Sequence, residues 1–70
     1  RRKKLVWAKQ VMEFGVITAD DLTEMCPAWD GIPPYYKDEL VGKLAAHTTG
    51  RGETVGWVDI LVEEKVPSRA

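Results

Sequence analysis

Seventy residues carry ten Lys or Arg against eleven Asp or Glu, a formal charge of −1, with 44% hydrophobic residues that include three Trp. A chain this short holds one core and no second domain, and folding buries only about 60% of its unfolded surface, so stability must come from apolar burial. One Cys and one His exclude an intrachain disulfide and a Cys/His metal set, and no apolar run approaches the roughly 20 residues that span a bilayer.

A lone thiol suits a reducing, intracellular (cytoplasmic) setting. Arg1-Arg2-Lys3-Lys4 before Leu5-Val6-Trp7-Ala8 has the look of a signal-peptide start, but the apolar stretch breaks at Lys9-Gln10 and no small-residue cleavage site follows. The first residue is not Met, as expected of a piece of a longer protein or a trimmed chain. Positions 1–4 read as a basic arm, 5–63 as the domain and 64–70 as a frayed tail.

In chain order, Leu5, Ala8, Val11 and Met12 recur at helical spacing with Trp7 on the flank, which predicts a first helix over about Lys4–Phe14, stopped by Gly15. Val16-Ile17 is a short extended step. Thr18-Ala19-Asp20-Asp21 is close to a capping box and predicts a short second helix that faces Leu22 and Met25 inward and ends before Pro27. Residues 26–34 form a loop with a turn at Asp30-Gly31 and a stiff Pro33-Pro34 approach. A third helix is expected from about Tyr35 to Ala46, with Tyr36, Leu40, Val41, Leu44 and His47 on one side and a small-residue strip, Gly42 and Ala46, on the other. A glycine-flanked turn, Thr48–Glu53, then leads into a strand over Thr54–Val62. Trp7, Trp29 and Trp57 are expected to converge on the core, since each aromatic can bury on the order of 150–250 Å². No internal repeat is evident. The fold class is therefore α+β, three helices with a small β-hairpin or sheet.

Catalytic chemistry is missing. Cys26 and His47 have no orienting third group, and Met25, Pro27 and Trp29 make an apolar setting that favours an inert thiol. No nucleophile elbow, zinc-protease motif, phosphate loop or dinucleotide fingerprint occurs. Helix-start capping accounts for Asp20 and Asp21. Neither a cofactor nor a metal is implied, and the chain reads as a binding domain, not an enzyme.

Two features point to a partner. Phe14-Gly15-Val16-Ile17-Thr18 leading into Asp20-Asp21-Leu22, the helix Tyr35–Ala46 and the Thr48–Val62 turn and strand together resemble, in element order, the winged helix-turn-helix superfamily of DNA-binding domains. The resemblance covers roughly residues 5–62, departing from the ordinary motif in the long loop between its second and third helices. It implies a recognition helix at Tyr35–Ala46 in the major groove and a wing tip at Thr48–Glu53. The second feature is Gly50-Arg51-Gly52, where flanking glycines let an arginine approach a narrow A·T-rich minor groove.

These imply a domain of a transcriptional or mobile-element regulator on A·T-rich double-stranded DNA. Arg51, Gly50 and Gly52 would lie in the minor groove. Tyr35, Lys37, Lys43, Thr48 and Thr49 would contact phosphates or bases, with Arg1, Arg2, Lys3 and Lys4 adding phosphate contacts. Against DNA stand the near-neutral charge and the acidic start of the third helix, Asp38 and Glu39. They favour the alternative: a module that contacts a protein, or dimerises, with no DNA bound.

Overall fold

The computed structural model describes residues 2–26 and 29–61. Four short strands carry it: β1 (Lys4–Trp7), β2 (Leu22–Met25), β3 (Leu44–Ala45) and β4 (Ile60–Leu61). β1 pairs antiparallel with β2, and β3 with β4, giving two separate two-stranded sheets. Isolated antiparallel bridges, Val6–Thr54 and Val16–Leu44, tie each sheet to the other half of the chain. Among the described residues the longest helical stretch is Pro34–Leu40, three residues of 3-10 helix followed by α1 (Lys37–Leu40).

The three-helix, winged-helix-like architecture is thus corrected. In place of the first helix stands β1, where three consecutive residues, Leu5, Val6 and Trp7, are all buried. Neighbouring backbone pairs with β1 on both edges (Val6 opposite Thr23 and Thr54), and burial of Leu5, Val6 and Trp7, which alternate between its faces, shows both faces covered, so an unbroken apolar run results. The second helix shrinks to one 3-10 turn, Ala19–Asp21, which hands directly to β2. The cap itself is real: the Asp21 carboxylate accepts the Thr18 backbone N–H at 2.8 Å and the Thr18 hydroxyl at 3.0 Å.

The third helix stops at Leu40, because Val41 is extended and Gly42 takes φ +97°, a left-handed conformation that glycine adopts at no steric cost. Leu44 and Ala45 are consequently strand, and no helical face presents Gly42 and Ala46 as a strip. The long strand is interrupted by a 3-10 turn at Trp57–Asp59. Val62, Glu63 and the expected tail at 64–70 lie outside the described residues, as does Arg1.

The chain also contains an internal two-fold repeat. Val11 and Thr49, 38 residues apart, bond to each other: Thr49 N–H donates to the Val11 carbonyl at 2.8 Å, and Val11 N–H donates to the Thr49 hydroxyl at 3.1 Å. The same offset maps the pairings of one half onto those of the other. Val6–Thr23 becomes Leu44–Leu61, Trp7–Leu22 becomes Ala45–Ile60, and the bridge Val16–Leu44 becomes Thr54–Val6.

The backbone bonds follow, and they cross between halves. Trp7 N–H donates to Glu53 as Ala45 N–H donates to Gly15; Gly52 N–H donates to Trp7 as Phe14 N–H donates to Ala45. Ile17 N–H reaches Lys43 as Val55 N–H reaches Leu5. Each half therefore completes the other's sheet.

The core sits where the halves interlock, formed by Leu5, Trp7, Val11, Ile17, Leu22, Ile32, Leu40, Ala45, Val55 and Ile60, with Tyr36 against its edge. Burying one such aliphatic side chain contributes about 1.5–3 kcal/mol. Only Trp7 of the three tryptophans is inside; Trp29 is 78% exposed and Trp57 50%. The loop at 29–33 is held by main chain, with Leu5 N–H donating to Ile32 and Ile32 N–H to Val55. Gly31 is needed less for a turn than for this approach, since a Cβ there would sit 2.9 Å from the Val55 carbonyl oxygen.

The repeat exposes a local conflict. Equivalent turns place Phe14 at φ +65° and Gly52 at φ +90°. A bulky residue in the left-handed region costs roughly 1–2 kcal/mol, and Phe14 recovers little because it is 60% exposed. Phe14→Gly should therefore leave urea stability unchanged or raise it by up to about 1 kcal/mol, whereas Gly52→Val should lower it by about 1–2 kcal/mol. Equal losses in both variants would contradict the equivalence of the two turns.

Candidate binding surface

The turn beginning at Gly56 repeats the one beginning at Thr18. Asp59 accepts the Gly56 backbone N–H at 2.9 Å, as Asp21 accepts that of Thr18. Asp59 does more than its counterpart. The oxygen that holds Gly56 is also 3.5 Å from the Trp7 indole nitrogen, and the other lies 2.7 Å from His47 Nε2.

His47 Nδ1 lies 3.1 Å from the Thr48 carbonyl oxygen. A carbonyl only accepts, so Nδ1 carries a proton, and Nε2 can bond the Asp59 carboxylate only if it too is protonated. The arrangement selects the imidazolium. The His47 pKa is accordingly raised from 6.5, chiefly by the Thr48 carbonyl and then by Asp59 and Glu53, with burial opposing.

A histidine whose pKa rises on folding contributes stability that is full below the unfolded value and is lost as pH climbs through the folded one. The thermal midpoint should thus fall as pH rises from about 6 through the window above 6.5. Because the chain has one His, His47→Gln should flatten that slope. A midpoint that rises over the same window would contradict the assignment.

Beside this hub lies an open cleft of about 680 Å³ between the end of β2 with the loop after it and the segment 52–59. Met25, Trp29 and Val58 supply its apolar wall and Asp30, Glu53 and Asp59 its carboxylates, with no Lys or Arg among the described residues of the lining. Met25, Trp29 and Val58 are 54%, 78% and 81% exposed. Cys26 also lines the cleft and is exposed rather than enclosed by apolar neighbours. Asp30 forms a 3.0 Å ion pair with Lys4, which together with the Gly31 backbone N–H holds its carboxyl below the usual range.

On the same 3-10 turn, Trp57 meets Tyr36 edge to face at 5.3 Å between ring centroids, and Tyr36 meets Tyr35 at 4.6 Å. Tyr35 is 78% exposed, so a row of three aromatic rings runs along the surface.

The residues expected at DNA fall on several elements rather than on one helix and its wing. Arg51 is exposed at the tip of its turn, with Gly50 N–H bonded to the Glu53 carboxylate at 3.1 Å and Gly52 N–H to Trp7. Thr49 is buried and its hydroxyl occupied by Val11. The Thr48 hydroxyl accepts the Glu13 N–H at 3.0 Å. Tyr35 belongs to the aromatic row, Lys37 is half-buried at the start of α1, and Lys43 is exposed beside β3. Arg2 and Lys3 are exposed, whereas Lys4 is in β1 and paired with Asp30. Among the described residues no helix carries these groups together.

Sequence reasoning missed the cleft because it placed Trp29 and Trp57 in the core. The available signal was the recurrence of Thr18-x-x-Asp21-Leu22 as Gly56-x-x-Asp59-Ile60, which marks Trp57 and Val58 as the exposed middle of a turn. Among the described residues no group of three His, Cys, Asp or Glu side chains is placed to hold a metal, and no helix is long and apolar enough to cross a membrane. No protein-family model matches the chain, and no curated protein matches its sequence.

Proposed function

We propose that this domain is a protein-binding module, acting without catalysis, whose cleft takes a polypeptide segment carrying both apolar and basic side chains. One observation carries this reading: among the described residues the cleft combines exposed Met25, Trp29 and Val58 with the carboxylates of Asp30, Glu53 and Asp59. Asp30 and Asp59 already face Lys4 and His47, and among the described residues Glu53 is bonded only to a backbone N–H, so an Arg or Lys would meet the Glu53 carboxylate and the face of Trp29, where a phosphate would meet only repulsion from Glu53. An exposed tryptophan at a concave site is the kind of side chain that dominates protein interfaces.

Arg51, the centre of the DNA alternative, stands on an exposed turn, with Glu53 bonded back to Gly50 two residues along. The flanking acid weakens a minor-groove role.

A displayed library of random peptides selected on the folded domain tests the proposal. The expected outcome is enrichment of sequences with basic and apolar residues together, and a loss of about tenfold or more in their affinity on Trp29→Ala. The same protein should show no binding to A·T-rich or G·C-rich duplexes. Overturning it would take a peptide selection without enrichment, together with duplex binding that weakens steeply with salt and is lost on Arg51→Ala.

A further inference from the structure

We infer that the turn from Gly56 to Asp59 is a latch closed by protonated His47, so that one wall of the cleft loosens as pH rises while the twin turn at Thr18 does not respond. The latch operates whatever the cleft takes, because it lies in the turn itself.

The internal repeat supplies a control. Thr18 and Gly56 share one backbone conformation, φ −112° and ψ 167° against φ −117° and ψ 160°. In both turns an aspartate carboxylate accepts the first residue's N–H, at 2.8 Å and 2.9 Å. The aspartate N–H donates back to that residue's carbonyl, at 3.0 Å from Asp21 and 2.9 Å from Asp59. The first turn adds a further bond, from the Thr18 hydroxyl to Asp21 at 3.0 Å. Glycine has no hydroxyl to give at position 56. In its place stands His47, 2.7 Å from the Asp59 oxygen that does not hold Gly56. The first-half equivalent of His47 is Lys9, which is exposed, and among the described residues no ion pair joins it to Asp21. One twin is therefore closed by a hydroxyl, which does not titrate near neutral pH, and the other by an imidazole, which does.

Every group that faces His47 favours its charged form. The Thr48 carbonyl meets Nδ1 at 3.1 Å, Asp59 meets Nε2 from the turn, and Glu53 adds a second negative charge from the loop before it. Among the described residues no Lys or Arg acts on the ring. A neutral imidazole keeps one N–H, which can serve the carbonyl or the carboxylate but not both. Whichever it keeps, Asp59 loses its counter-charge. The Trp7 indole of β1, at 3.5 Å, is too distant to take over from a charge-assisted bond. Gly56, Val58 and Asp59 line the cleft, so the loosened turn frees part of its wall and leaves the Asp59 carboxylate unneutralised there. Closure tightens the hold of His47 on its proton, so its contribution is full below the open-state pKa and fades as pH climbs through the window above 6.5.

Amide exchange of the whole chain, followed by NMR from about pH 5.5 to about 8 and corrected for base catalysis, tests the latch. The opening constants of the Gly56 and Asp59 amides should rise about threefold or more as the His47 ring titrates, while those of Thr18 and Asp21 stay level. His47→Gln should abolish the rise. Gly56→Thr supplies the missing hydroxyl at a position where an added Cβ meets nothing nearer than 3.8 Å, and should suppress the rise while His47 still titrates. A Gly56 amide that ignores pH while His47 titrates would overturn the latch. So would an equal rise at Thr18, which would make His47 a contributor to global stability alone.

Discussion

The structure depends on backbone hydrogen bonds that cross between its halves, centred on Trp7 and Ala45. Trp7 exchanges bonds with Gly52 and Glu53, and Ala45 does the same with Phe14 and Gly15. Sheets of two strands are marginal alone in water, and here β3 and β4 are two residues each. The crossing bonds convert them into one object, because each sheet takes a neighbour from the opposite half and the core fills the space between. Val11 and Thr49 close the arrangement where the two halves meet. Thr49 is among the few buried polar residues, and its hydroxyl is satisfied there.

Some of this was legible in the sequence. Thr18–Asp21 reads as a cap and is one, and Thr54–Val55 and Ile60–Leu61 read as extended, as the bridge to Val6 and the strand β4 bear out. What failed was period. Leu5, Ala8, Val11 and Met12 fit a helical stripe by coincidence, whereas Leu5-Val6-Trp7 is a contiguous apolar run that pairing on both edges makes natural for a strand. The stripe from Tyr36 to His47 failed for another reason. Its first half is helical, and Gly42 ends it in the left-handed region, a tertiary choice that propensity does not dictate.

The repeat was hidden because the two halves differ where side chains matter most. Trp7 corresponds to Ala45, Phe14 to Gly52, and Thr18 to Gly56, so beyond the backbone pattern little persists except Asp21/Asp59 and the apolar pairs Val6/Leu44, Ile17/Val55 and Leu22/Ile60. Those same differences make the surface legible once the structure is known. Where one half has Ala19 and Asp20, the other has Trp57 and Val58, and the extra apolar surface borders a cleft whose carboxylates are held by Lys4, His47 and backbone N–H groups. The basic arm contributes differently from expectation, since Lys4 belongs to a strand and an ion pair.

Native-state hydrogen exchange measures the interlock most directly. The amides of Trp7 and Gly52 and those of Phe14 and Ala45 belong to opposite crossings, so they should open with one common free energy, equal to that of global unfolding. Exchange of one pair through a smaller opening while the other stays protected would show two halves that fold separately, and would contradict the account.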